Sequence, residues 1–153
     1  MIFGSRRPKE TTAGTSKVSS SAYKSKLERI NAKELTDKGI EFVYEPEEGT
    51  IQWLLPASLH TYKPDFWIPK KQGWIIVETK GIWDYEDRCK HAWIKMQYPG
   101  LDIRFVFSRS SASTSKGSKQ TYAKICNGEG RGIFRGLTWQ YADKHIPEEW
   151  LHE

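Results

Sequence analysis

Lys63-Pro64-Asp65-Phe66 and, beyond a short turn, Trp74-Ile75-Ile76-Val77-Glu78-Thr79-Lys80-Gly81 decide how this sequence reads. Asp65-Phe-Trp-Ile68 and Trp74-Ile-Ile-Val-Glu78 are apolar runs of strand length on either side of a Pro69-to-Gly73 turn. That pattern predicts a hairpin in a buried sheet. Strand residues two apart share a face and lie roughly 6.5–7 Å apart. Ile75 and Val77 therefore face one way, and Ile76, Glu78 and Lys80 the other. Asp65 starts the partner strand and comes beside Glu78 if the chain turns at 69–73. Two carboxylates with a backbone carbonyl and waters form the hard-oxygen shell that Mg²⁺ prefers. A cation held there polarises a phosphoryl oxygen and lowers the pKa of bound water. The arrangement is the skeleton of a metal-dependent phosphodiesterase site. Lys80 is expected to stay protonated beside two carboxylates, which suits it to positioning and charge stabilisation rather than to proton abstraction. Pro-Asp and Glu-x-Lys are each common pairs. Their placement on two adjacent apolar strands gives them weight.

Upstream, a helix is expected from about Ser21 to Lys38, ended by Gly39 as a left-handed cap. Ser25-Lys-Leu-Glu28 can form a capping box, although Ser20 or Ser21 is the more natural start. Tyr23, Leu27 and Ile30 form its apolar stripe, and Glu28 projects at the edge of that stripe near Leu35. A carboxylate there is mildly anomalous and could serve a second metal position. Ile40 to Glu45 and Ile51 to Leu55 read as strands. Downstream, a helix from Asp84 to Tyr98 opens with acids and stops before Pro99-Gly100, and Leu101 to Phe107 alternates as a strand. A polar loop covers 108–118, a short helix 120–126, and the glycine-rich 127–136 segment reads as an exposed turn or hairpin. That segment lacks the strand-before, helix-after setting of a phosphate cradle, so no small-molecule cofactor is expected. The order of elements predicts an α/β fold with a central mixed β-sheet flanked by helices.

At 153 residues the chain is one domain's worth, and seven Trp, seven Tyr and six Phe supply a packed core. Core packing is the expected role of Trp53, Trp67, Trp74, Trp83 and Trp93, rather than base stacking. The net charge of +5 resides in residues 1–26, and the remainder carries 18 basic and 18 acidic side chains. Residues 1–20 read as a flexible basic arm, and 21–153 as the single folded domain. A second basic surplus lies in 109–135. Cys89 and Cys126 stand alone, without zinc-site or disulfide-framework spacing. No apolar run approaches membrane-spanning length, so a cytoplasmic protein without a membrane partner is expected. His60, His91, His145 and His152 sit in no recognisable nucleophile context.

Longer strings sharpen the picture. Leu27-Glu28 with Gly39-Ile40, Pro56-Ala-Ser-Leu-His-Thr-Tyr-Lys-Pro-Asp-Phe66 and Val77-Glu-Thr-Lys-Gly81 occur in order. Asp87-Arg-Cys-Lys-His91, Leu101-Asp-Ile-Arg-Phe-Val-Phe-Ser108, Lys116-Gly-Ser118 and Ala142-Asp-Lys-His-Ile-Pro-Glu-Glu-Trp150 follow them. The chain past residue 21 thereby resembles the endonuclease I family of T-odd bacteriophages, the Holliday-junction resolvases of the restriction-endonuclease-like PD-(D/E)xK superfamily. The resemblance implies a nuclease core in an intertwined, segment-swapped homodimer bridged near residues 45–56. It implies Glu28, Asp65, Glu78 and Lys80 as catalytic residues. Asp65, Glu78 and the Thr79 main-chain carbonyl would hold Mg²⁺ or Mn²⁺, with Glu28, donated by the partner chain, at a second ion. The implied reaction is cleavage of four-way and other branched DNA, in the cytoplasm of a bacterial host. The chain lacks the Lys/Arg-rich tail of the best-known member and carries extra residues around 127–140. A nicking or sequence-directed, homing-type endonuclease working on duplex DNA is the alternative reading. A DNA-binding or assembly module with a decayed site is a third, which four competent catalytic positions oppose. Arg6, Arg7, Lys9, Arg88, Lys90, Lys95, Arg109, Lys116 and Lys119 are the candidate phosphate contacts. Affinity carried by such contacts should fall steeply with salt.

Overall fold

The computed structural model describes residues 23–46, 49–55 and 58–152. The basic arm, with Arg6, Arg7 and Lys9, lies outside the described residues, as does part of the expected 45–56 bridge.

Helix α1 runs over Lys26–Asp37 and begins later than the sequence suggests, because Ser25 is its N-cap. The Ser25 hydroxyl accepts from the Glu28 N–H at 3.1 Å. The reciprocal half of a capping box is displaced by one residue, since the Glu28 carboxylate takes the N–H of Lys24 at 2.9 Å. At the other end Gly39 has φ +65°. Ile40 N–H bonds to Leu35 O at 2.9 Å and Gly39 N–H to Thr36 O at 3.0 Å, the paired bonds of a Schellman stop.

The central sheet has five strands in the order β1-β4-β5-β6-β9. They are β1 (Val43–Tyr44), β4 (Phe66–Lys70), β5 (Gly73–Lys80), β6 (Asp102–Phe107) and β9 (Gln140–Asp143). The 66–80 hairpin is antiparallel, with Phe66 opposite Val77 and Lys70 opposite Gly73. β5, β6 and β9 are parallel, so the sheet is mixed as expected. Helix α2 (Tyr85–Gln97) crosses over between β5 and β6, and the Asp84 carboxylate caps it through the Asp87 N–H at 2.8 Å. A separate hairpin pairs β2 (Ile51–Leu55) with β3 (Ser58–Tyr62). A short helix, α3 (Tyr122–Cys126), leads into a small hairpin of β7 (Asn127–Glu129) and β8 (Arg135–Thr138).

Both faces of the sheet are covered, which explains the unbroken apolar run of β5. Ile75 and Val77 pack with Phe66, Ile68, Val106 and the α1 residues Ala32 and Leu35. Ile76 packs on the opposite face with Trp67, Trp83, Ile94 and Phe105. The predicted parity of β5 is therefore observed. Truncating a side chain as enclosed as Ile76 to Ala costs about 2–5 kcal/mol. The tryptophans belong to the core: Trp53, Trp67 and Trp83 are buried, and Trp74 and Trp93 pack against them.

The expected strand over 40–45 shrinks to Val43–Tyr44. Glu45 still bonds across to Asp65 O through its N–H at 3.0 Å, but its positive φ turns the chain out of the ladder there. No helix among the described residues is long and apolar enough to cross a membrane.

Candidate active site

The hairpin register ends at Phe66 and Val77, so Asp65 and Glu78 form the next cross-strand position. Asp65 N–H lies 3.4 Å from Glu78 Oε2. Thr79 holds the Asp65 carboxylate from the side, its N–H and hydroxyl both donating to Oδ2 at 2.8 Å. Glu78 is 4% exposed. The Tyr62 hydroxyl, at the end of β3, donates to Glu78 Oε2 at 2.7 Å. Lys80 bridges Glu78 Oε1 at 2.8 Å and Asp87 Oδ2, on the first turn of α2, at 2.6 Å. Lys90, one turn along α2, pairs with the other Asp87 oxygen.

His91 closes the floor. Its Nδ1 lies 2.7 Å from the Asp87 carbonyl, which can only accept, and 3.4 Å from Trp83 Nε1, which can only donate; the shorter contact assigns the proton to Nδ1. The unprotonated Nε2 then faces Glu78 Oε1 at 3.8 Å with no hydrogen-bond partner. Burial pushes the His91 pKa down to about 4, outweighing the nearby carboxylates, and the ring is neutral at physiological pH.

The charges do not balance: Asp65, Glu78 and Asp87 face Lys80 and Lys90. Burial and the neighbouring Glu78 raise the Asp65 pKa to about 7, despite the Thr79 hydrogen bonds. Burial also works against ionised Glu78, but Lys80 overcomes it and leaves its pKa below the usual value. Lys80, rather than the neutral His91, is the counter-charge. Burial would lower the Lys80 pKa, yet Glu78 and Asp87 together hold it above the ordinary lysine value. Burial works against ionised Asp87 too, but with His91 neutral it is Lys80 and Lys90 that hold its pKa below the usual carboxylate value. The pocket thus has more negative charge and acceptor lone pairs than donors. Two hard-oxygen carboxylates in that state fit a divalent cation. Among the described residues no three His, Cys, Asp or Glu side chains converge as a closed cage. A cation here would need main-chain, water or phosphate oxygens to complete its shell.

The structure brings together Asp65, Glu78, Thr79 and Lys80 as the sequence predicts. Glu28 is held by partners of its own. It is buried, but α1 lies on the Ile75 and Val77 face, whereas Glu78 projects from the opposite one. Its carboxylate is engaged by the Tyr44 hydroxyl and the Lys24 N–H. Lys24, whose amine pairs with Glu45 at 2.6 Å, is the cation that feels both Glu28 and Asp65.

Among the predicted phosphate contacts, Arg88 is a correction. It is 6% exposed, and its guanidinium donates to the Trp83 carbonyl. On α2 it shares the buried face with His91 and Ala92, so its charge is spent on the chain itself. Lys90 is drawn into the site through Asp87, its Nζ 5.1 Å from the centre of the Tyr62 ring. Lys95 lines an open cavity with Asp102, Trp139 and Gln140 at the other end of the sheet. Arg109, Lys116 and Lys119 are exposed on the loop after β6. His60 hydrogen-bonds to Ser58 at 2.7 Å and stacks on Trp53.

Sequence reasoning missed Tyr62, Asp87 and His91 as members of the site. The spacing of Asp87 and His91, one helical turn apart at the start of α2, was the available signal.

Residues 10–153 match the family model described as Phage endonuclease I. Endonuclease I of Escherichia phage T7 is 46% identical over 132 residues, covering 86% of this chain and 80% of that protein. Endodeoxyribonuclease 1 of Enterobacteria phage T3 is 44% identical over 126 residues, covering 82% and 74% respectively.

Proposed function

The chain belongs to the phage endonuclease I family, and from that premise we propose that it is an endodeoxyribonuclease resolving four-way and other branched DNA junctions. The observation that carries this reading is the meeting of Asp65 and Glu78 across the hairpin, with Lys80 fixed beside them. Asp65 and Glu78 would hold Mg²⁺, or Mn²⁺ in its place. In an extended strand the N–H and C=O of one residue lie on the same edge, so the Thr79 carbonyl is directed to the side of Asp65 with its N–H. When bound, the ion supplies polarisation of a phosphoryl oxygen and a water of lowered pKa.

The remaining work falls to the chain's own groups. Lys80 is protonated, so it cannot act as a base; it offers N–H donors and positive charge where charge builds on the phosphate. Asp87 holds the Lys80 amine from the α2 side, and Thr79 fixes the Asp65 carboxylate. Tyr62 and His91 keep Glu78 in a dry setting where such charges act strongly. Phosphate contacts would come from Arg109, Lys116 and Lys119 and from the arm residues Arg6, Arg7 and Lys9.

The working unit is proposed to be a homodimer that exchanges α1 through the 45–56 segment. Exchange of an identical element reproduces between chains the packing it makes within one. The seating of α1 on its own sheet is compatible with that assembly, in which Glu28 would serve the partner's site.

With Mg²⁺, the protein is expected to cut an immobile four-way junction much faster than a linear duplex built from the same arms. Glu78→Gln should lose at least about 10³-fold in cleavage while retaining junction binding. Equal cutting of the two substrates would reject junction selectivity, and equal cutting by the variant would reject the role of Glu78.

A further inference from the structure

Directly after Lys80 stand Gly81 and Ile82, and nothing in the fold calls for either. Six described glycines have positive φ, which side chains rarely adopt. Gly49 and Gly130 would each drive a Cβ to within 2.5 Å of a neighbour. Gly81 has neither reason: its φ lies outside the left-handed region, and a Cβ would meet only Ser108 Oγ, at 3.8 Å. Gly100 is equally free, but it sits in the turn after α2 at the far end of the sheet. A glycine loses more conformational freedom on folding than an alanine, so at an unconstrained position it weakens the fold without return. Its other use is to let a ligand approach the backbone closely.

Ile82 is 80% exposed, and Tyr85 63%. The segment that leads from Ile82 into α2 is fixed. Trp83, between the two, is wholly buried, with its N–H 3.1 Å from the Tyr122 hydroxyl and its carbonyl accepting from Arg88. A lone exposed isoleucine is ordinary. One held rigidly beside a bare backbone position and a buried catalytic lysine is not. The Ser108 N–H donates to the Lys80 carbonyl at 2.9 Å, so the ends of β5 and β6 lie side by side. The exposed Arg109 follows at once. Gly81 and the exposed Ile82 therefore follow Lys80 directly, and the exposed Arg109 follows Ser108 at the adjoining end of β6.

We infer that Gly81, Ile82 and Arg109 seat the DNA strand that is cut, an assignment that rests on the endonuclease reading above. The sugar–phosphate chain lies against Gly81, the apolar face of the deoxyribose next to the scissile phosphate packs on Ile82, and Arg109 pairs with the adjoining phosphate. DNA is the occupant assigned to this surface because Gly81 and Ile82 directly follow Lys80 and the exposed Arg109 stands at the end of the neighbouring strand. The exposed Asp84, Tyr85 and Glu86 lie on the α2 side of Ile82.

The test uses the full chain and its Gly81→Ala, Gly81→Leu and Ile82→Ala variants, each assayed on an immobile four-way junction. Binding without metal, single-turnover cleavage with Mg²⁺, melting temperature and sedimentation are measured together. Gly81→Ala should melt at the wild-type temperature or roughly 1–4 °C above it. Binding and cleavage should fall in steric order, about 3-fold for Ala and at least about 30-fold for Leu, with about 5-fold for Ile82→Ala. Wild-type binding and cutting by all three variants would overturn the inference and leave the endonuclease reading intact. A melting temperature lowered in Gly81→Ala would assign the glycine to the fold, and altered sedimentation of Ile82→Ala would assign that side chain to a subunit interface; either result overturns the proposal. Failure of the wild type itself to cut any DNA would bring down the endonuclease reading, and this assignment with it.

Discussion

Two clusters of charge lie at opposite ends of the parallel strands β5 and β6, and they are built on opposite principles. At the N-terminal end of β6, the buried Arg104 grips Asp102 through Nε at 2.8 Å and a terminal nitrogen at 2.7 Å. Lys70 reaches the same carboxylate at 2.7 Å, and the guanidinium lies 5.2 Å from the centre of the Trp150 ring. Burial works against ionised Asp102, but its two cations overcome it, and its pKa falls. At the C-terminal end of β5, carboxylates outnumber amines, and Asp65 is left with a pKa of about 7. In the first cluster both carboxylate oxygens are taken by cations. In the second, under the function proposed above, a divalent ion would supply the missing positive charge. Charge left unanswered in a buried pocket marks a place where the fold accepts a cost for chemistry, whereas the paired network serves the architecture.

The largest expected contrast comes from removing the amine of each cluster. Lys80→Met should lower cleavage by about 10³-fold, since it deletes the donor aimed at the developing charge. It also leaves Glu78 buried without its counter-ion, so the lower limb of the pH–rate profile should move to higher pH. Single-turnover kinetics across pH would check both. Arg104→Ala should cost about 2–3 kcal/mol in a denaturant titration, while folded molecules cut at the wild-type rate. A loss of cleavage there exceeding the loss of fold would erase the distinction between the two ends.

A smaller effect has the opposite sign. The Asp65 pKa is raised on folding, so the folded state binds the proton more tightly than the unfolded one. Stability attached to that proton is present below about pH 4 and is lost as pH rises through about 7. Without metal, Asp65→Asn should therefore stabilise the protein by about 1–3 kcal/mol at pH 8 and by nothing at pH 3.5. Thermal melts at the two pH values measure this. Smallest of all, the Lys116→Ala, Lys119→Ala double variant should weaken junction binding a few-fold and reduce the slope of log affinity against log salt by about 2.

Much of this was legible in the sequence, for local reasons. The 66–80 hairpin, the parity of β5 and the cap of α2 all follow from alternation, turn residues and a single aspartate. What escaped depends on distant partners. β3 is exposed at four of its five positions and, among the described residues, pairs with β2 outside the main sheet, so it carries no alternating signal. β9 is short and half-polar, and it is a strand because β6 lies beside it. Arg88 looks like any helix cation until α2 is seated with that face inward. His91 stood in plain view within Asp87-Arg-Cys-Lys-His91, but its part in walling off Glu78 requires knowing which face of β5 meets α2.

The quantity that bears most directly on the Asp65–Glu78 pocket is its affinity for a divalent ion. Titrating Mn²⁺ into the wild type and into Glu78→Gln by calorimetry near pH 6.5 reads it without DNA or turnover. The wild type should bind saturably and release protons as Asp65 ionises, and the variant should show neither. Undiminished binding by the variant, or no binding by a folded wild type, would contradict the account.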